Sequence, residues 1–280
     1  MAAAATLVAT PTCLSSDRKG SIIVADQPIL ELRHVDKSFG PVSVLHDVAF
    51  SARAGDVTAL VGDNGAGKST LVKCIAGTYV MDSGEYLFEG APVSVRTPHD
   101  SAALGIEIVY QDLALADNLD IVQNMFLGRE RRRRLILDDA SMEHSAQETL
   151  ASLKVRTVKS VRQRVSSLSG GQRQTVAIAK AVLWDSKVVV LDEPTAALGV
   201  AQTAQVLELV RRLADRGVAV VLISHNMTDV LQVADRIAVL YLGRMAAEGQ
   251  RDDVNQQQLV ELITTGEQGG KRLRGDEVPA

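Results

Sequence analysis

The chain has 280 residues, of which 46% are hydrophobic and 23% are charged, and its formal net charge is −4. These values are typical of a globular chain with a core of ordinary size, and the negative charge disfavours nucleic acid as a main partner. The sequence contains no run of 18 or more uncharged apolar residues, so it predicts no segment that crosses a bilayer by itself.

The two ends of the chain have the composition of tails. Residues 1–27 begin with an Ala-rich stretch that lacks the charged start and long apolar run of a secretory signal, and residues 266–280 are rich in glycine and charge. We therefore expect disordered tails on both sides of one folded unit at 28–265. The two cysteines, Cys13 and Cys74, do not suggest a disulfide framework, which favours a reducing cytosol.

Short apolar runs predict parallel strands. Residues 57–61 lead into a glycine-rich loop, residues 188–191 lead into two acidic residues, and residues 218–223 lead into a serine and a histidine. Because helical stretches separate these runs, the pattern indicates an α/β fold whose sheet is buried on both faces. Near the end of the chain, residues 237–249 predict two strands joined near Gly243.

The glycine-rich loop matches the P-loop pattern, and it stands between a predicted strand and a predicted helix, as that pattern requires. Its glycines let backbone N–H groups wrap around phosphate oxygens, and the helix N-terminus adds a favourable dipole. We expect Lys68 to reach the β- and γ-phosphates of a nucleotide and the Ser69 hydroxyl to bind Mg²⁺. The motif and the residue after it are Gly62, Asp63, Asn64, Gly65, Ala66, Gly67, Lys68, Ser69 and Thr70.

Residues 112 to about 165 break the alternation and predict a helical insertion. They contain a polar, helix-prone stretch in which Asp138 or Asp139 can cap a helix. They also contain a basic cluster, Arg129–Arg134. A solvated surface is the favoured interpretation of that cluster, and contact with lipid headgroups or a membrane subunit is the alternative.

A second anion-binding motif follows this insertion. It consists of small residues before a helical pattern, which supply backbone N–H groups and a hydroxyl, although a serine N-cap is an equally good interpretation in isolation. Its residues are Leu168, Ser169, Gly170, Gly171 and Gln172.

The acidic pair Asp192-Glu193 ends a predicted strand. Asp192 is suited to hold Mg²⁺, through water, and Glu193 to act as the general base that polarises an attacking water. Two acids after a strand are also common as a plain helix cap. The pair gains weight because it lies downstream of the P-loop in a chain of parallel strands.

Three single residues complete the candidates. Gln111 follows the apolar run 106–110 and is suited to bind Mg²⁺ and sense the γ-phosphate, although a lone glutamine is usually a surface residue. His225 ends a strand and can donate to the γ-phosphate, although such a histidine is often structural. Phe39 can stack under an adenine ring, although an isolated aromatic residue is more often part of a core.

Together these residues resemble the ATP-binding cassette (ABC) superfamily, because every motif occurs in the family order across about residues 29–265. Phe39 also lies 29 positions before Lys68, where the family's adenine-stacking aromatic residue is expected. The resemblance implies a P-loop α/β core, an antiparallel β subdomain and a helical subdomain at about 112–183 that bears the signature motif, 168–172. It also implies the roles given above for Gln111, Glu193 and His225.

Longer stretches, including VYQDLALADNLDIVQNMFLGRE and ISHNMTDV, look like bacterial importers of ribose, xylose and fructose. Many ATPases of this kind carry two cassettes, whereas this sequence has one of each motif, like the shorter fructose-type members. Gly199 stands where most cassettes have an aspartate that contacts the opposite subunit. The sugar-importer group commonly shows this change, so we do not interpret it as loss of activity.

The resemblance implies partners and a location. Each ATP would lie between the P-loop of one chain and the signature of a second cassette, most simply in a homodimer. The dimer would drive a separate permease, with a sugar-binding protein acting indirectly, at the cytoplasmic face of the cell membrane. ATP and Mg²⁺ are the expected cofactors, and nucleic acid is not an expected partner.

The same motifs also occur in proteins with three other functions. A nucleic-acid or ribosome-acting ABC protein would carry a long coiled coil or a second cassette, but Gln111 and Leu168 are only 57 positions apart. An ATPase for export, or for import of another solute, is compatible with the same catalytic motifs. A regulatory cassette that does not hydrolyse ATP is disfavoured by the presence of Glu193 and His225.

Overall fold

The structure is a computed structural model and describes residues 27–155 and 158–267. Most of both predicted tails, including Cys13, lies outside the described residues. The strands are β1 (Leu30–Phe39), β2 (Val42–Ala52), β3 (Val57–Val61), β4 (Ser83–Phe88), β5 (Ala91–Pro92), β6 (Ile106–Val109), β7 (Arg132–Arg133), β8 (Ile136–Leu137), β9 (Val188–Asp192), β10 (Ala219–Ile223), β11 (Arg236–Tyr241) and β12 (Arg244–Gln250). The α-helices are α1 (Lys68–Ile75), α2 (Pro98–Ala103), α3 (Ile121–Phe126), α4 (Asp139–Ser152), α5 (Gly170–Val182), α6 (Val200–Asp215), α7 (Met227–Val233) and α8 (Gln256–Thr265).

A six-stranded sheet forms the centre of the fold, in the order β12-β11-β3-β10-β9-β6. Strands β3 and β10 are buried at every position, and their Val, Leu and Ile side chains suit a sheet that is covered on both faces. Strands β11, β3, β10, β9 and β6 pair in parallel, and β12 pairs antiparallel with β11. The predicted α/β class is confirmed, and so is the strand pair joined at Gly243.

A second, four-stranded antiparallel sheet has the order β2-β1-β4-β5. Its inward side chains, such as Leu32 and Phe50, form one hydrophobic cluster with α1 and one face of the central sheet. Cys74 on α1 belongs to this cluster; its thiol is free, and burial raises its pKa to about 11. The thiol is therefore an apolar packing group at neutral pH.

The opposite face of the central sheet packs against α3, α4, α5 and α6. Side chains cap three of these helices at their N-termini: Asp120 caps α3, Asp138 caps α4 and Ser169 caps α5. Each cap accepts a hydrogen bond from a backbone N–H of the first turn, which has no partner within the helix. The expected helices of the insertion are therefore present, although the subdomain and tail boundaries stay predictions.

The segment around the basic cluster contains an antiparallel β-hairpin, β7-β8, that the sequence did not predict. Before it, the Arg129 guanidinium makes a 2.6 Å ion pair with Glu107 and lies over the Trp184 ring. Arg131 donates to Ser141 and Ser145 on α4. Both arginines are exposed, which agrees with the solvated interpretation, and their ion pair, ring contact and hydrogen bonds hold them against the body of the fold.

Within the part of the chain that the structure describes, no helix is both long enough and apolar enough to cross a membrane. This agrees with the absence of a long apolar run in the sequence.

Asp235 joins three elements at the amino-terminal edge of the central sheet. Its carboxylate accepts from the backbone N–H of Val57 at 2.8 Å and from the Arg211 guanidinium at 2.6 Å. Val57 is fully buried, so its N–H has no access to water as an alternative acceptor.

We predict that Asp235→Ala lowers the free energy of unfolding by about 2 kcal/mol, because it leaves the buried Val57 N–H without an acceptor and removes one of the partners of the Arg211 guanidinium, which keeps the Val233 carbonyl. Urea denaturation followed by circular dichroism measures the change. Asp252→Ala is the matched control, since Asp252 forms an exposed ion pair with Arg251 and should change stability by less than about 0.5 kcal/mol. Equal effects of the two substitutions would contradict the role of Asp235.

Candidate active site

The carboxyl ends of four neighbouring parallel strands bring the predicted motifs to one edge of the sheet. Ile223 on β10 pairs with Leu60 on β3 and with Asp192 on β9, and Leu191 on β9 pairs with Val109 on β6. The residues that follow these strands are the P-loop after β3, His225 after β10, Glu193 after β9 and Gln111 after β6. Motifs far apart in sequence are therefore side by side in space.

Two contacts hold the P-loop close to its neighbours. A Cβ atom at Gly62 would lie 2.2 Å from the Leu240 carbonyl oxygen, and one at Gly67, where φ is +105°, would lie 2.9 Å from the Leu45 side chain. Only glycine fits such approaches. The Gly243 N–H also donates to the Ala66 carbonyl at 2.9 Å, so the β11-β12 turn supports the loop.

Lys68 lies at the start of α1, with its ammonium turned into the loop. Nζ donates to the carbonyl oxygens of Gly62 at 2.7 Å and Asp63 at 3.0 Å. Burial lowers the pKa of Lys68, and the nearby carboxylates of Glu193, Asp63 and Asp192 oppose that shift. A half-buried ammonium group whose charge is disfavoured by burial is suited to pair with an anion such as a phosphate.

Asp192 is half-buried beside a second carboxylate. Burial raises its pKa, the charge of Glu193 raises it further, and Lys68 opposes the shift. The native fold thus disfavours the Asp192 carboxylate, which a divalent cation would stabilise. The oxygen donors of Ser69 and Asp192 suit Mg²⁺, which takes few protein ligands and several from water and phosphate.

Glu193 and His225 form a pair that the sequence did not predict. Glu193 Oε2 lies 2.8 Å from His225 Nδ1, and the backbone N–H of Glu193 donates to the Ile223 carbonyl. Glu193 has φ = +51°, an unfavourable conformation for a non-glycine residue that is often found at functional sites. The Glu193 side chain is 16% exposed and that of His225 is 74% exposed, so the imidazole reaches outward from the sheet edge.

This hydrogen bond has a consequence for protonation. If Nδ1–H donates to the Glu193 carboxylate, the neutral ring presents an acceptor at Nε2. Donation from Nε2 of His225 to a phosphate oxygen then requires the doubly protonated ring.

Gln111 and Phe39 lie at two other positions around the loop. Gln111 is exposed just beyond the end of β6. Phe39 ends β1 with 42% of the residue exposed, and its ring makes an edge contact with Tyr79 at 5.0 Å between centroids. Its exposure allows the ring to stack on a planar ligand.

The signature residues stand on a separate part of the fold. Leu168 is buried, and Ser169 and Gln172 cap the start of α5 by reciprocal hydrogen bonds. A Cβ atom at Gly171 would lie 3.0 Å from the Gln202 side chain, so α5 and α6 approach closely there. Ser169 therefore caps α5, and this role is compatible with the prediction that the same motif binds an anion.

Sequence reasoning missed a contact behind the acidic pair. The Thr195 hydroxyl donates to Asp229 at 2.7 Å, and Asp229 is buried. This bond ties the loop after Glu193 to helix α7, which follows His225. Nothing in the sequence signals it, since the two residues are 34 positions apart. Nor does the sequence indicate that Val44 on β2 lines the concave side of the P-loop.

Comparison with protein families gives one matching model, described as ABC transporter, over residues 45–196. The matched segment covers more than half of the chain and runs from β2, through the P-loop and the signature, to the loop after Glu193.

Two curated relatives match over most of their length. The chain is 44% identical over 237 residues to a xylose/arabinose import ATP-binding protein of Sulfolobus acidocaldarius, covering 85% of this chain and 94% of the relative. It is 47% identical over 228 residues to a fructose import ATP-binding protein of Rhizobium meliloti, covering 79% and 88%. A ribose import ATP-binding protein of Escherichia coli O157:H7 is 39% identical, and the chain spans 46% of its length.

Solved structures agree with the fold. An ATP-binding cassette of an ABC transporter in its ADP conformation has a TM-score of 0.74 at 26% identity and covers 86% of this chain and 96% of its own. A nucleotide-free cassette has a TM-score of 0.73 at 27% identity and covers 80% of this chain and 92% of its own.

We predict that Asp192→Asn raises the melting temperature of the nucleotide-free chain at neutral pH. The raised pKa of Asp192 means that the fold binds this proton more tightly than the unfolded chain does. Stability therefore falls as the pH rises through the window between the ordinary and the raised pKa, and the loss persists above it. The amide removes that penalty, so the gap between variant and wild type should narrow toward acid pH.

Thermal denaturation over a series of pH values measures this difference, with Asp112→Asn, an exposed aspartate, as the control. A variant less stable than wild type at neutral pH would mean that attraction to Lys68 outweighs burial. In the presence of Mg²⁺ and ATP the order should reverse, because the amide is a poorer ligand for the cation.

Proposed function

This chain belongs to the ABC transporter family, and on that premise we propose that it is the ATP-hydrolysing subunit of an importer for a monosaccharide. One observation carries the proposal: the two relatives that match over nearly their full length are both named as sugar import ATP-binding proteins. The geometry at the sheet edge supports the ATPase activity, because an anion-binding loop, a desolvated lysine and paired carboxylates meet there.

Binding of ATP is the first step. The backbone N–H groups of the P-loop, from Gly65 to Thr70, and the Lys68 ammonium would hold the phosphates. Phe39 would stack on the adenine. Ser69, Gln111 and Asp192 would hold Mg²⁺, which would supply charge neutralisation for the phosphates. The raised pKa of Asp192 supports this assignment, because the cation would relieve the penalty of burying the carboxylate.

Hydrolysis is the second step. Glu193 would orient water and accept its proton, and the strained backbone and the hydrogen bond from His225 fix the carboxylate in place. His225 would contact the γ-phosphate with the other ring nitrogen. Placement and charge neutralisation would supply most of the acceleration, since phosphoryl transfer needs little covalent help from the protein.

A second cassette would complete each site. We propose that the signature residues at the start of α5 bind the ATP held by a partner chain. Ser169 is the N-cap of α5 and Leu168 precedes it, and the other three residues are Gly170, Gly171 and Gln172 in the first turn. A head-to-tail homodimer is the simplest arrangement for one cassette. A Cβ atom built at Gly199 would have no other heavy atom within 4 Å. The position therefore faces open space, and having glycine there in place of aspartate creates no packing defect.

The dimer would act at the cytoplasmic face of the cell membrane. Gln111 and the helical part would transmit closure of the dimer to separate permease subunits, and a sugar-binding protein would deliver the solute. Import of a non-sugar solute is the second candidate, because the catalytic residues are the same for both.

We predict that Glu193→Gln lowers the ATPase rate constant by about 10²- to 10⁴-fold while ATP binding is retained, because the amide keeps the shape of the base but cannot accept a proton. The variant should accumulate as an ATP-bound dimer in size-exclusion chromatography. Lys68→Ala is the control, since it should lose ATP affinity and remain monomeric. Hydrolysis by Glu193→Gln at the wild-type rate would remove Glu193 from the role of base.

We further predict that cells lacking this chain lose uptake of a monosaccharide. Uptake of labelled pentoses, hexoses and amino acids is measured in a deletion strain and after complementation. Wild type should restore uptake of a sugar, and Lys68→Ala should not. Unchanged sugar uptake together with loss of another solute would favour the second candidate.

A further inference from the structure

The β7-β8 hairpin projects both positive charge and apolar surface from the helical part of the fold. Leu135 is 99% exposed, Ile136 75% and Leu137 49%. Arg132 and Arg133 are exposed as well, and residues 129–134 place five arginines beside one glutamate in a chain of net charge −4. Three consecutive large aliphatic side chains are rarely so exposed, and such a patch indicates a surface that is covered in the functional state of the protein.

The arginines of the hairpin are available for a partner. Arg129 and Arg131, before the hairpin, are engaged by Glu107 and by serines of α4. Among the residues that the structure describes, the guanidinium groups of Arg132, Arg133 and Arg134 make no hydrogen bond or ion pair, although the charge of Arg132 contributes to lowering the pKa of Glu130. The hairpin thus has a base that side-chain contacts hold in place and three guanidinium groups that form no ion pair.

The turn violates the residue preferences of a short hairpin. Its two central residues are Arg134 and Leu135, and of these only Arg134 has a positive φ, +60°, at the first central position, where such a turn favours glycine. An arginine in this conformation is strained, and a fully exposed leucine gains nothing from folding. Such choices oppose stability and therefore suggest that the side chains at the tip serve binding.

The distribution of side chains favours a bilayer over a protein surface. Arg132 pairs with Leu137 across the hairpin and Arg133 pairs with Ile136, so each face of the ribbon carries one arginine and one aliphatic residue. A stable protein interface buries about 800 Å² on each partner, which a six-residue finger exposed on both faces does not offer as one patch. A membrane interface accepts a narrow projection, with aliphatic groups entering and guanidinium groups reaching phosphates.

We propose that the β7-β8 hairpin is a membrane-surface anchor that inserts Leu135 and Ile136 into the headgroup region of an anionic bilayer. Arg132, Arg133 and Arg134 bind the lipid phosphates. The proposal rests on the proposed function, which places the chain beside a membrane. The hairpin would then orient the cassette toward the bilayer independently of the permease contact near Gln111.

Vesicle flotation of the full chain, without permease, tests the anchor. The vesicles are phosphatidylcholine alone or with about 30% phosphatidylglycerol, at low and high salt. Wild type should float with the anionic vesicles at low salt and remain behind with the neutral ones. Failure to bind the anionic vesicles overturns the proposal.

Substitutions then assign the binding to the hairpin. Each arginine near an anionic surface increases the membrane partition coefficient about fivefold. Replacing Arg132, Arg133 and Arg134 with Gln should therefore lower the partition coefficient by a factor on the order of a hundred. A matched triple with the same charge change elsewhere, Arg96→Gln, Arg216→Gln and Arg244→Gln, should lower it far less. Equal losses in the two triples would show diffuse electrostatics and overturn the anchor.

Two further variants separate lipid from other partners. Leu135→Ser with Ile136→Ser should weaken binding although the charge is unchanged, because the apolar insertion is lost. Replacing the three arginines with Lys should largely preserve binding, whereas a bidentate protein site would reject lysine. Variants that bind vesicles like wild type but lose activation by the permease would assign the hairpin to a protein contact instead.

Measuring the ATP hydrolysis rate of the same hairpin variants without vesicles distinguishes failure of the anchor from failure of the proposed function. Wild-type rates are expected, since the hairpin lies outside the catalytic edge. Loss of vesicle binding with ATPase retained supports the anchor. Vesicle binding by a wild-type chain that hydrolyses no ATP would leave the anchor standing and count against the proposed function.

Discussion

Strands β3, β9 and β10 run parallel and are buried on both faces, so their carboxyl ends meet at one edge of the sheet. This edge carries Lys68 at the start of α1, Asp192 at the end of β9 and Glu193 after it, which places three charged side chains close together in a half-buried space. Their placement depends on the register of the strands, since a shift of one residue would turn each side chain to the other face. The hydrophobic clusters on both faces of the sheet specify that register and therefore fix the positions of the side chains in the site.

The charges at this edge are not balanced by the fold alone. Burial lowers the pKa of Lys68 and raises that of Asp192, which means that both charged forms are disfavoured in the folded chain. Glu193 adds a strained backbone. A nucleotide triphosphate with a divalent cation supplies charges of both signs, so binding would relieve the penalties that folding leaves. Sites of this kind exchange stability for function.

The chain presents three surfaces with different physical characters. The catalytic edge is concave, partly desolvated and charged. The signature at the start of α5 offers a capped helix end that is packed against α6. The β7-β8 hairpin carries exposed leucine, isoleucine and arginine. These surfaces suit a phosphate ligand, the ligand of a second cassette, and a bilayer. The first two surfaces would serve the proposed ATPase, and the third would serve the proposed anchor.

The sequence by itself determined the local chemistry: the P-loop, the strands that precede the motifs, a helix cap at Asp138 or Asp139 and the α/β class. These features depend on neighbouring residues, because glycine conformations, β-branched runs and capping side chains act within a few positions. The pairing of Glu193 with His225, the contact of Gly62 with Leu240 and the bond from Thr195 to Asp229 were decided only by the tertiary structure. Each joins residues brought together by the order and register of strands, and that order follows from packing the whole core rather than from any local pattern. The hairpin escaped prediction for the opposite reason: its strands have two residues each and its turn lacks the preferred glycine, so no local signal marked it.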